Sequence, residues 1–251
     1  MSLNWSSINP VIMKKLQLLT FLFMSITASA QTISGPALLD KTIAFHDPNG
    51  NWKMLGARIS FAEDERNGKM IKQLIEFKNG GDYFKGFRSD GEHEVVQILD
   101  GESCTLTLDG KSDFTEEERK QHRLTPDRAK KMRDYYVYLY GLPMKLKDEG
   151  TQVDDQITKA EFMGKEYLKL KVTYDAAVGK DTWYFYIDPE TYEMSAYQFF
   201  HDESKNDGEY ITLEGMVEVD GVKIPKLRTW YTNKEDKLLG VDNIAKIEIL
   251  K

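Results

Sequence analysis

The sequence predicts a mainly β (α+β) fold: a curved, unclosed antiparallel β-barrel of about 11–12 strands, with an N-terminal helix and two central helices plugging its concave face. Three observations carry this prediction. Short runs with apolar residues at alternate positions recur along the chain, separated by Asn-Gly and Asp-Gly pairs that suit tight hairpins. Between Thr115 and Pro143 the apolar spacing becomes helical. The stretch DTWYFYIDPETYEMSAYQFF, residues 181–200, puts large aromatic groups on both faces of a strand pair.

The elements follow in chain order. Lys14 and Lys15 precede an apolar run from Leu16 to Ile26, and Ala28-Ser29-Ala30 supplies a small-x-small cleavage pattern. This is the layout of an export signal, and the run is shorter than the roughly 20 residues a membrane span needs. Met13 is the natural start, so residues 1–30 read as an upstream extension plus a cleaved signal, and residues 31–251 as one domain. Gln31 stands where a lipid-anchored protein would carry cysteine, which predicts a soluble periplasmic or secreted protein. Ser34 and Pro36 open a helix bearing Leu38, Leu39 and Ile43 on one side, and Asp47-Pro48-Asn49-Gly50 stops it.

Five strands are expected next, in WKMLGARISFA, KMIKQLIEF, YFKGF, HEVVQIL and SCTLTL, with ERNG, NGG, SDG and DGE as turns. Gln73 is the one polar residue on the apolar face shared by Ile71, Ile75 and Phe77. Thr115 and Glu118 can form a capping box before EEERKQHRL. Thr125-Pro126-Asp127 opens a helix to Tyr140, with Ala129, Met132, Tyr136, Leu139 and Tyr140 at helical spacing and Gly141 and Pro143 ending it. Seven strands follow, near 152–162, 165–174, 181–188, 193–201, 208–219, 222–232 and 240–250.

Eight strands close a barrel that side chains can just fill, and 11 or 12 make a wider trough. Its inner face must be covered, because each wet Leu- or Phe-sized side chain costs about 1.5–3 kcal/mol. Trp183, Phe185 and Ile187 are expected to face this trough, and Tyr184 and Tyr186 the outside or the rim.

Composition narrows the function. The formal charge of −7 becomes −9 when a signal holding two lysines and no acid is removed. An acidic domain without a basic stripe does not suit nucleic acid. Cys104 is the only cysteine, so no disulfide forms within the chain, and it reads as a small buried residue. The four histidines, His46, His93, His122 and His201, have no metal-ligand spacing. No nucleophile elbow, phosphate loop or dinucleotide fingerprint occurs. No catalytic residue, metal site or cofactor is therefore expected.

The exported start, the order of elements, WYFYIDPETYEMSAYQF and VEVDGVKIPKLRTWY together resemble the outer-membrane lipoprotein carrier superfamily. SGPALLDKTIAFHDPNGNW and DYYVYLYGLPMKLKD are similar to an uncharacterised secreted family of Gram-negative bacteria related to that fold. The resemblance implies an unclosed barrel around plugging helices, with a hydrophobic cavity between. The expected function is non-enzymatic: a periplasmic binding or carrier protein holding a lipid, acyl chain or lipoprotein tail. Met132, Tyr136, Leu139, Tyr140, Trp183, Phe185 and Ile187 are its expected cavity residues. Two alternatives stay open: an envelope sensor or interaction module with a vestigial cavity and a protein partner, and a hydrolase whose residues lie far apart in sequence.

Overall fold

The computed structural model describes residues 33–250, and residues 34–251 cluster as one compact unit. The expected signal, the start at Met13 and the junction at Gln31 lie outside the described residues.

Among the described residues three α-helices are present: α1, Gly35–His46, α2, Glu116–Gln121, and α3, Pro126–Tyr140. The strands of the first half are β1, Gly56–Phe61, β2, Asp64–Arg66, β3, Lys69–Lys78, β4, Tyr83–Ser89, β5, Glu94–Asp100, and β6, Ser103–Leu108. Those of the second half are β7, Thr151–Phe162, β8, Lys165–Tyr174, β9, Thr182–Ile187, β10, Met194–Phe200, β11, Gly208–Val219, β12, Val222–Thr232, and β13, Leu238–Ile249. All pair antiparallel in one 13-stranded sheet ordered β6-β5-β4-β3-β1-β13-β12-β11-β10-β9-β8-β7, with β2 added on β3. The halves join where β1 pairs with β13, and β6 and β7 are the free ends, so the barrel is unclosed.

The additional strand arises in ERNG, which the sequence marks only as a turn. Asn67 and Gly68 take positive φ values of 54° and 76°, the paired left-handed residues of a tight hairpin. Asp64–Arg66 can therefore fold back on β3.

Register keeps one set of residues on the hollow side. Trp183 lies opposite Phe199 and Phe185 opposite Tyr197; Tyr197 in turn faces Ile211, and Ile211 faces Trp230. On the convex side Tyr186 stacks on Phe162 at 4.2 Å between ring centroids, and Tyr210 on Tyr231 at 5.0 Å. The aromatic residues on both faces of WYFYI thus serve two packings: a wall of the trough, and an outer ladder that buries Tyr186.

The three helices have recognisable starts. Ser34 caps α1, Thr115 and Glu118 form the full capping box of α2, and Thr125 caps α3 with Pro126 in the first turn. Helix α1 packs on β7, β8 and β12. Gly35 is required at its start, because a Cβ there would sit 1.8 Å from the Asp154 carbonyl oxygen of β7. At the far end, His46 Nδ1 lies 2.9 Å from the Lys223 carbonyl and Nε2 accepts from the Met194 amide at 3.1 Å. Burial holds this imidazole neutral by pulling its pKa from 6.5 to about 4. Among the described residues no helix is long and apolar enough to cross a membrane.

Candidate functional site

Helix α3 packs on β4, β5 and β6 and also reaches strands of the second half, so it lies across the hollow of the sheet. Its sequence, PDRAKKMRDYYVYLY, places tyrosines on two sides. Tyr136 and Tyr140 share one side and pack on Phe61 of β1 at 6.1 and 5.8 Å between centroids. Tyr136 also stacks with Phe84 of β4. Tyr138, on the other side, meets the edge of Trp183 of β9 at 5.7 Å.

Three of these phenols also hydrogen bond to the sheet. The Gln73 side-chain amide of β3 donates to the Tyr136 hydroxyl, which explains the one polar residue on that apolar face. The hydroxyls of Tyr138 and Tyr174 of β8 bond to each other. The Tyr140 hydroxyl donates to Asp242 of β13 at 3.2 Å. Buried phenols need such partners, and each bond contributes about 0.5–1.5 kcal/mol.

Beneath Tyr140 lies a polar cluster. The guanidinium of Arg228, fully buried, stacks 3.9 Å from the centre of the Tyr140 ring. Its Nη1 donates to the Pro225 carbonyl at 2.8 Å, while Nε and Nη2 have no hydrogen-bond partner among the described residues. Arg228 lies opposite Asp242 in the β12–β13 ladder. Burial raises the Asp242 pKa, an effect opposed by the charge of Arg228 and the bond from Tyr140.

Helix α3 does not fill the hollow. On the side of β3, β4 and β5 it leaves a cleft of about 870 Å³, whose apolar surface includes Leu74, Ile75, Phe84, Phe87, Val95 and Met132. On the side of β9 to β13 it leaves a second cleft of about 560 Å³, walled by Leu139, Trp183, Tyr197, Phe199, Ile211 and Trp230. The two adjoin, sharing Arg66, Tyr135 and Asp242. Both volumes fall in the range of small-molecule sites.

The expected cavity residues therefore divide. Met132 and Tyr136 line the larger cleft, and Leu139 and Trp183 the smaller. Tyr140, Phe185 and Ile187 line neither: each is buried, Tyr140 between Arg228 and Phe61, and Phe185 against Tyr197. The sequence reading missed Arg66, in a stretch read only as a turn, and Asp242 and Arg228, charged residues within runs of strand character.

Chemistry at the other reactive side chains is limited. His201 Nδ1 lies 2.8 Å from Asp181 at the smaller cleft, where the described lining holds no serine, threonine or cysteine to serve as nucleophile. Burial raises the Cys104 thiol pKa, the opposite of activation. Both ring nitrogens of His46 are engaged by the backbone. Among the described residues no group of three His, Cys, Asp or Glu side chains is placed to hold a metal ion.

Fold and site define an unclosed antiparallel barrel with a helix across its hollow and a cleft on either side of that helix. The chain belongs to a family of unknown function, DUF6503, which matches residues 14–248. No curated protein matches it. Among solved structures it is similar to a LolA superfamily protein from Nitrosomonas europaea, at 10% identity and a TM-score of 0.49 over 87% of this chain and 94% of that one. It is also similar to an outer membrane lipoprotein-sorting protein domain from Vibrio parahaemolyticus, at 10% identity and 0.44 over 86% and 92%. A third is a DUF1329 family protein from Desulfovibrio piger, at 10% identity and 0.45 over 87% and 94%.

Proposed function

We propose that the protein is a non-enzymatic carrier of the periplasm that holds a lipid, acyl chain or lipoprotein tail in the hollow beneath α3. The observation that carries this reading is the pair of clefts, about 870 and 560 Å³, left between an aromatic helix and an apolar sheet face. Burying a tail there stabilises the complex by about 0.8 kcal/mol per methylene, with no covalent step or cofactor. Trp183 and Met132 stand on opposite flanks of α3, where a guest would touch them. The basic, apolar and small-residue order of residues 14–30 supports export.

The test is to purify the protein from the periplasm without detergent, extract it with organic solvent and identify what is released by mass spectrometry. A stoichiometric acyl-bearing molecule is expected. Ligand-free protein that also ignores added fatty acids and acylated peptides contradicts the reading. A single stoichiometric protein partner, whose binding ignores substitutions at Trp183 and Met132, would point instead to an envelope interaction module.

A further inference from the structure

The larger cleft is cationic in an acidic protein. Five positive side chains line it, Arg66, Arg88, Arg123, Arg128 and Lys131, against two carboxylates, Asp90 and Asp242. The whole chain carries a formal charge of −7, so chance alone would place more acids than bases on such a wall. Both carboxylates are already engaged. Asp90 accepts from the amides of His93 and Glu92 and takes Lys69 at 3.4 Å, which lower its pKa to about 2. Asp242 accepts from Tyr140 beside Arg228.

The cations are less committed. Arg66 pairs with Asp64 at 2.6 Å. Arg88, Arg123, Arg128 and Lys131 form no ion pair with any described residue. They come from β4, the turn after α2, and the first turns of α3, and the fold brings them to one cleft. Several cations elsewhere on the surface do pair with acids: Lys72 with Glu63, Lys159 with Glu166, Lys165 with Asp188, Lys246 with Glu248. The smaller cleft has the opposite character, with Asp181, Glu209 and Asp242 against Arg66 and a histidine.

Unpaired guanidinium groups around an apolar floor suit one kind of guest. Arginine presents a planar fork to a carboxylate or phosphate, and its bonds to such groups are charge-assisted. We infer that the larger cleft selects a single-chain anionic amphiphile, its acidic head group among Arg88, Arg123, Arg128 and Lys131 and its tail against Leu74, Ile75, Phe84 and Met132. This inference rests on the carrier reading and adds to it the charge of the cargo and the cleft that takes it. An uncharged lipid would leave these cations without a partner.

The test is calorimetric titration of the purified full chain with four probes below their micellar concentrations: dodecanoate, its uncharged glycerol monoester, dodecyltrimethylammonium and acetate. Dodecanoate is expected to bind at least about tenfold tighter than the glycerol ester, the scale of one charged hydrogen bond. Raising NaCl from about 50 to about 500 mM should weaken dodecanoate and leave the glycerol ester unchanged. The R88Q/R128Q double variant should bring the two within about twofold, again without altering the glycerol ester. Lys131→Gln alone, at an exposed position, should narrow the same ratio if the double variant does not fold. Equal binding of the acid and its glycerol ester overturns the inference and leaves the carrier reading standing. Acetate binding as tightly as dodecanoate overturns it in favour of a small-anion site, and tighter binding of the cation overturns it outright. Failure of every probe to bind overturns both readings.

Discussion

Tyr136, Tyr138 and Tyr140 attach α3 to three different strands through Gln73, Tyr174 and Asp242. A helix fixed only by apolar contact could slide along the hollow; three phenols with separate partners set its register. Gln73 shows how far sequence goes at this scale. It reads as a flaw in an alternating strand until Tyr136 is placed above it. Arg228 is harder still, because an arginine in KLRTWY gives no sign that its guanidinium is buried beneath a tyrosine ring. His46 yields a pH prediction. Above pH 6.5 it is neutral in both folded and unfolded chains and contributes no pH dependence. Below 6.5 the unfolded chain takes up a proton that the fold refuses until about pH 4, so stability falls across that window by about 3 kcal/mol in total. Urea unfolding at about pH 7.5 and 4.5 should show this loss in the wild type and a clearly smaller one in His46→Gln. Parallel losses in the two proteins would mean that His46 does not couple to folding.

At the scale of elements, the turns and caps were legible and the fit between elements was not. Asn-Gly and Asp-Gly pairs, Thr115 with Glu118, and Thr125-Pro126 are local chemistry, and the hairpins and helices stand where these residues put them. β2 escaped because three residues, Asp64–Arg66, are too few to show alternation. Trp183, Phe185 and Ile187 share a face, but the alternation rule cannot tell which of them meets a cleft and which meets a neighbour. Only Trp183 lines one, and Phe185 lies against Tyr197. Gly35 makes the same point for packing: nothing in SGPALL reveals that the Asp154 carbonyl occupies the space of its missing side chain. Gly35→Ala should lift the start of α1 from β7 and destabilise the fold by about 1–3 kcal/mol. Chemical denaturation gives the magnitude, and hydrogen exchange should show the earliest loss of protection in α1 and β7. An unchanged unfolding midpoint would mean that this contact relaxes at no cost.

At the scale of the molecule, the sheet order explains why a hollow exists. The chain builds half a sheet, crosses through α2 and α3, builds the other half, and joins the two at β1 and β13. The crossing segment therefore lies over the trough it separates. A 13-stranded sheet is wider than a closed eight-stranded barrel that side chains fill, and a single 15-residue helix, α3, leaves room on both flanks. The curvature and the helical plug were legible in the order of elements. The charge of the larger cleft was legible only in part: Arg123, Arg128 and Lys131 belong to a basic run, RKQHRLTPDRAKKMR, that reads as a solvated helix face, and the fold alone brings Arg88 and Arg66 to the same cleft.

The central claim is that an apolar tail enters beneath α3. Methyl-detected NMR with a spin-labelled fatty acid tests it most directly, because the label broadens only the groups it approaches. Methyl signals of Leu74, Val95, Met132 and Leu139 should broaden on titration, while those of Leu38, Leu39 and Val222, buried on or near α1, stay sharp. Broadening confined to exposed methyls such as those of Met54, Met163 and Ile249, or none at all, would contradict the account.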